Sequence, residues 1–279
     1  MRCEQSIPRT RGWPRFESDV RSDGETMAVP ARVYAVANQK GGVGKTTTAV
    51  NVGACLAEAG ERVLLIDLDP QGNATSGLGV RANGASTHDL LDGIALASLA
   101  KPSGFHNLDL VAAKTDLAAA AVDLSTREGG ERYLAEALES SLEPYSFVFL
   151  DCPPSFGPLT VNALAAASRA LVPVQAEYFA LEGLSQLLGT VNLVQARLNP
   201  DLEVAGILLT MADGRTRLTA DVESELRGHF GELVFTTTVP RSVRLAEAPS
   251  HGLPAIAYDR RSAGAQAYWK VAMELVERS

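Results

Sequence analysis

Nine residues at Lys40-Gly41-Gly42-Val43-Gly44-Lys45-Thr46-Thr47-Thr48 hold two lysines, three glycines and three threonines. Glycines allow positive φ and close backbone approach, so successive N–H groups can point inward at phosphate oxygens. Lys45 is spaced to reach the β- and γ-phosphates of a nucleotide, and the Thr46 hydroxyl to ligate Mg2+. Gly41, Gly42, Val43, Gly44, Lys45, Thr46 and Thr47 are therefore the expected nucleotide contacts. Such a loop must follow a strand and open a helix, where the helix N-terminus adds to the anion site. The apolar run Val33–Asn38 in front of it meets the first condition. Gln39 stands where the usual pattern has its first glycine, and Lys40 adds a second lysine.

Two more apolar runs end in carboxylates. Leu64-Leu65-Ile66-Asp67 and Phe147-Val148-Phe149-Leu150-Asp151 each place an aspartate at the carboxyl edge of a strand, where open α/β sheets bind ligands. One such aspartate is commonly a cap or turn residue, but two beside a phosphate loop suit metal and water chemistry. Asp151 suits the holding of Mg2+ through water, and Asp67 the orientation of the water that attacks the γ-phosphate.

The elements that position these groups follow from the spacing of apolar runs. Short apolar stretches alternate with longer amphipathic ones after residue 31, the pattern of βα units around a mostly parallel sheet. Strands are expected at Val33–Asn38, Arg62–Asp67, Leu108–Ala112, Phe147–Asp151, Ala170–Val174, Val204–Leu209 and Leu233–Thr236. Several lack polar alternation, as strands covered on both faces do. The clearest helix carries Leu184, Leu187, Leu188, Val191, Val194 and Leu198 and ends at Asn199-Pro200. Helix boundaries within 81–107 and 112–130 are blurred by Gly, Pro and Ala. The expected fold is a single doubly wound α/β domain over residues 31–279, with helices on both faces of the sheet.

Composition narrows the function. With 46% hydrophobic residues in 279, a real core is expected. Residues 1–30 mix arginine, acids, proline and glycine without periodicity and read as a disordered tail, within which Met27 is an alternative start. Cys3, Cys55 and Cys152 form no CxxC pair, which argues against a disulfide framework or a metal–sulfur site and fits a cytoplasmic protein. No uncharged apolar run reaches the ~18–20 residues of a membrane helix. The four histidines show no ligand spacing. A formal charge of −8 repels nucleic acid in bulk, so any DNA contact needs a local basic patch.

The blocks KGGVGKTTT at 40–48, LLIDLDPQGNATSGLG at 64–79, DCPPS at 151–155, PVQAEYFALEGLSQL at 173–187 and VPRSVRLAEAPSHG at 239–252 resemble the ParA/Soj partitioning ATPases, a branch of the deviant Walker A ATPases. That resemblance implies Mg2+-dependent ATP hydrolysis. It also implies that Lys40 reaches across a nucleotide-sandwich homodimer to the partner's phosphates, which makes Lys40, Lys45 and Asp67 the catalytic candidates. ATP-bound dimers of such proteins bind double-stranded DNA without sequence preference, and a ParB-type centromere-binding protein stimulates hydrolysis and releases them. Met211 and Pro240 fall where the family builds its adenine pocket. Arg215, Arg217, Arg241 and Arg244 match blocks where it places basic DNA contacts. The implied location is the nucleoid.

Related branches differ in identifiable ways. A MinD-like membrane ATPase would end in a basic amphipathic helix, whereas AQAYWKVAMELVERS at 265–279 has two basic and two acidic residues. Docking of that segment on the domain is expected, with Tyr268 and Trp269 as packing residues. An iron–sulfur relative would need paired cysteines, and Cys152 reads as part of a strand-end turn. A bacterial tyrosine kinase would carry a tyrosine-rich tail. The tail at 1–30 is too short for the helix-turn-helix domain of some plasmid partition proteins. The remaining alternative is a nucleotide-dependent scaffold that positions cargo other than DNA on the nucleoid.

Overall fold

The computed structural model describes residues 30–278 apart from Ser140 and Phe179. The expected tail, with Cys3 and Met27, therefore lies outside the described residues except for Pro30. Seven strands form one sheet: β1 (Arg32–Val36), β2 (Val63–Asp67), β3 (Lys101–Pro102), β4 (Leu108–Val111), β5 (Phe147–Asp151), β6 (Arg169–Gln175) and β7 (Glu203–Thr210). Their order is β3-β4-β2-β5-β1-β6-β7, and every pairing is parallel except β3 with β4.

Helices α1 (Lys45–Ala59), α2 (Asn73–Gly77), α3 (Thr87–Leu91), α4 (Leu96–Leu99), α5 (Leu117–Thr126) and α6 (Tyr133–Leu138) belong to the first half. The second half supplies α7 (Pro158–Ala166), α8 (Ala180–Arg197), α9 (Arg217–Phe230), α10 (Val243–Glu247), α11 (Ala255–Tyr258) and α12 (Ala263–Glu277). Successive strand side chains point to opposite faces, and here both faces are covered. Val33, Ala35, Leu64, Ile66, Val148 and Leu150 face a core shared with α5 to α8. Tyr34, Val36, Leu65, Phe147 and Phe149 face the other, shared with α1 and α12. This is the doubly wound α/β arrangement.

Six of the expected strands form within a few residues of their expected limits. Leu233–Thr236 does not: Leu233 closes a 3-10 turn, and Val234 alone bridges to Ile207. Val234 and Phe235 are buried while Leu233 is exposed, and the Thr236 and Thr237 N–H groups donate to the Glu274 carboxylate at 2.6 and 3.0 Å. Within the run the Phe235 N–H reaches β7, donating to Ile207 O at 2.9 Å, but Glu274 takes the next two donors and no ladder extends from there. The helix carrying the leucine and valine stripe is α8, and Asn199 beyond it donates to Leu164 O and Ala167 O at 3.1 and 2.7 Å. The C-terminal α12 docks as expected, burying Tyr268, Trp269, Val271, Ala272 and Leu275, and the Tyr268 hydroxyl lies 3.0 Å from the Thr48 hydroxyl of α1.

Candidate nucleotide site

Strand β1, between β5 and β6 in the sheet, delivers the chain into the glycine loop, and α1 leaves it. Gly42 at φ 77° and Gly44 at φ 91° occupy the left-handed region, and no atom lies within 4 Å of where a Gly42 Cβ would be. The loop is braced from beneath. Asn38 Oδ1 accepts the Lys40 N–H at 3.0 Å, Asn38 Nδ2 donates to Pro173 O at 2.7 Å, and the Thr210 hydroxyl donates to Val43 O at 2.8 Å. Lys45, only 6% exposed, donates from Nζ to Lys40 O at 3.1 Å. Burial holds its pKa below the usual lysine value, against the pull of Asp151, Cys152 and Asp69.

The register of the sheet sets Asp67 directly opposite Asp151, and Asp151 opposite Val36 at the end of β1. Both carboxylates are fully buried. Asp67 Oδ1 accepts from Asp69 N at 3.1 Å, and Oδ2 accepts from Thr75 N at 2.9 Å and Thr75 Oγ1 at 2.7 Å. Burial pushes Asp67 up to about 6, while the Thr75 and Asp69 hydrogen bonds oppose the rise. Asp151 is raised further from the usual carboxylate value, first by burial and then by the charge of Asp67. The Thr46 hydroxyl beside it favours the charged form, yet neither Asp151 oxygen completes a well-formed hydrogen bond. An orphaned, buried carboxylate next to a hydroxyl is a fit for a hard divalent cation that takes its other ligands from phosphate and water. No self-sufficient cluster of metal-ligating side chains occurs among the described residues, which accords with such shared coordination.

The other expected contacts fall around this centre. Met211 and Pro240 line a cavity of about 210 Å3 together with Gly44, Thr47 and Arg241, so the loop and the expected adenine contacts share one space. Met211 itself is left-handed at φ 52°, a costly conformation for a residue with a side chain. Ala212 bridges Pro240, and this joins the segment of Arg215 and Arg217 to that of Arg241 and Arg244. Arg215 is 90% exposed and pairs in a fork with Asp213, at 3.0 Å from Nε and 2.9 Å from Nη2, which holds Asp213 down to about 2. Arg217 opens α9, capped by Thr216. Arg244 pairs with Glu247 at 2.8 Å and Asp259 at 3.4 Å. Lys40 is half-exposed and pairs with Glu177 of its own chain. A larger open groove of about 650 Å3 sits at the opposite, amino-terminal ends of β1 and β6, beside Val33 and Ser168.

Several of these supporting groups were not singled out in the sequence. Thr75 and Asp69 lie inside the block at 64–79, so the resemblance covers them without giving a role. Asn38 directly precedes the loop, whereas Thr210 and Glu177 act on it from positions that only the folded sheet brings near.

A mostly parallel sheet in which an interior strand feeds a glycine loop and helix, beside registered strand-end aspartates, defines a P-loop nucleotide-binding α/β protein. The family described as AAA domain matches residues 31–204. The chromosome-partitioning ATPase Soj of Thermus thermophilus is 56% identical over 253 residues, covering 90% of this chain and 98% of that protein. The sporulation initiation inhibitor protein Soj of Bacillus subtilis is 51% identical over 247 residues, covering 88% and 98%. Among solved structures, a Mycobacterium smegmatis protein described as cobyrinic acid a,c-diamide synthase, with bound ADP and magnesium, matches with a TM-score of 0.78. It is 39% identical, covering 89% of this chain and 95% of that one. The chain belongs to the Soj/ParA family of partitioning ATPases.

Proposed function

We propose that this ATPase partitions DNA by a nucleotide-driven cycle: ATP joins two protomers, the dimer holds DNA without sequence preference, and a ParB-type partner triggers hydrolysis and release. The observation that carries the chemistry is the alignment of Asp67 with Asp151 across β2 and β5, next to buried Lys45. Lys45 and the N–H groups of the loop hold the β- and γ-phosphates. Thr46 and Asp151 would hold Mg2+, which when bound supplies charge neutralisation on the phosphate oxygens. Asp67 orients the attacking water and takes its proton.

Met211 and Pro240 flank the adenine, Lys40 reaches the partner's phosphates, and Arg215, Arg217, Arg241 and Arg244 meet the DNA backbone on the nucleoid. Named relatives support partitioning: they are chromosome-partitioning proteins at about half identity over nearly their whole length. Helix α12 docks on the domain, and among the described residues no helix is long and apolar enough to cross a membrane.

Turnover of radiolabelled ATP, measured alone, with duplex DNA and with a ParB-type protein, tests the proposal. The expected result is slow Mg2+-dependent turnover that rises when DNA and partner are both present. Turnover indifferent to both would favour a scaffold for other cargo.

A further inference from the structure

We propose that the open groove at the amino-terminal ends of β1 and β6 is a docking site for residues Arg9–Phe16 of this same chain. Its walls are built from short or apolar side chains: Ala135 on α6, Ala165, Ala166 and Ala167 where α7 ends, and Leu142. A space of about 650 Å3 with such walls takes large apolar groups, aromatic rings above all. Four carboxylates line it as well. Glu136, Glu139, Glu143 and Asp201 are exposed, and among the described residues no salt bridge neutralises any of them. Arg132, the one cation among the described lining residues, is drawn to Leu198 O at 3.3 Å. An apolar floor under unpaired acids fits an occupant that brings rings and positive charge together.

The chain carries such an occupant close by. Arg9-Thr10-Arg11-Gly12-Trp13-Pro14-Arg15-Phe16 holds three arginines, two aromatic residues and no acid. The stretch after it reverses sign, with Glu17, Asp19, Asp23 and Glu25 against Arg21, so the acids of the groove repel it and it serves as the connection. That connection ends at Pro30, which itself lines the groove. Residues 17–29 span at most about 45 Å, and a tether of that length holds Arg9–Phe16 at an effective concentration of roughly 1 mM. A weak contact is then enough. The glycine loop lies at the other ends of the strands, so docking leaves the nucleotide site open and is independent of the proposed cycle.

The test reads Trp13 in the full chain, where the difference between wild type and Trp13→Phe separates its emission from that of buried Trp269. A segment with a dissociation constant of about 0.1 mM is about 90% docked at that effective concentration, so acrylamide should quench Trp13 at least about threefold less efficiently than it quenches a free peptide of residues 7–18. Protection should not depend on protein concentration, since the contact is within one chain. It should vanish when Glu139→Lys and Glu143→Lys are combined, and in about 1 M salt, where screening confines charges to about 3 Å. Should that variant fail to fold in a thermal melt, Arg11→Glu with Arg15→Glu reverses the other side of the contact and leaves the domain untouched. A photoreactive amino acid at position 13 should cross-link to α6 or the end of α7 of its own chain. Peptide-like quenching in the wild type, protection that survives charge reversal, cross-links to a second copy, or protection that needs added duplex DNA would overturn the proposal.

Discussion

In the proposed cycle Lys45 and Asp67 divide the work between holding a nucleotide and breaking it, and their surroundings keep the two tasks separable. Lys45 lies against the loop, whereas Asp67 is held from the far side by Thr75 and Asp69. Lys45→Ala is expected to abolish tight ATP binding by removing the buried cation that faces the phosphates. Asp67→Ala should keep ATP bound and stall hydrolysis, so ATP-bound protein accumulates. Equilibrium binding of a fluorescent ATP analogue, set beside single-turnover hydrolysis, separates the two; a wild-type hydrolysis rate in Asp67→Ala would contradict the assignment. Both residues were legible in the sequence because each closes an apolar run or a glycine loop. Thr75 was not, since its role depends on the chain folding back eight positions to meet a carboxylate.

Among the elements, the parallel core was legible wherever an unbroken apolar run had length enough to be buried on both faces. The antiparallel β3 is two exposed residues, one of them proline, and offers no such signal. Leu233–Thr236 shows the converse, an apolar run that meets β7 only at Ile207 while Glu274 takes the Thr236 N–H. That carboxylate also receives Arg278 at 2.7 Å and is 14% exposed, so it anchors the segment leading to Pro240. These hydrogen bonds outweigh burial and hold its pKa below the usual glutamate value. In acid the unfolded chain therefore binds the proton first. The stabilisation is present above the unfolded glutamate value of about 4.3 and is lost as pH falls through the lower folded one. Glu274→Gln should cost about 1–2 kcal/mol at neutral pH and flatten this acid limb. Urea unfolding at a series of pH values checks it, and an unchanged acid limb would show that Glu274 contributes nothing.

On the scale of the whole molecule, the proposed cycle requires nucleotide, partner protomer and DNA to be read by one face. The Ala212–Pro240 bridge makes this possible: it links the segments of Arg215 and Arg244, and Pro240 and Arg241 also line the cavity beside the glycine loop. The sequence could assign these arginines only through resemblance, because they lie in separate segments and each has an acidic neighbour that a linear reading discounts. Lys40 was legible as an extra lysine, but its pairing with Glu177, 137 positions away, was not. An exposed pair of this kind is worth about 0–1 kcal/mol, too little to keep Lys40 from a partner's phosphates. Lys40→Ala should therefore weaken ATP-induced dimerisation, seen by sedimentation with a slowly hydrolysed analogue, more than it weakens nucleotide binding by the monomer. An unchanged dimer fraction would reduce Lys40 to a solvated loop charge.

The central claim is that nucleotide state governs attachment to DNA through backbone contacts alone. The most direct measurement is the affinity for unrelated duplexes with no nucleotide, ADP and a slowly hydrolysed ATP analogue, over a range of salt, for wild type, Arg215→Glu and Arg244→Glu. The account predicts tight binding only with the ATP analogue, equal across sequences and falling steeply with salt. Each arginine variant should lose affinity for all duplexes alike while its ATP-driven dimer survives. Equal affinity in all three nucleotide states, or no loss in either variant, would contradict it.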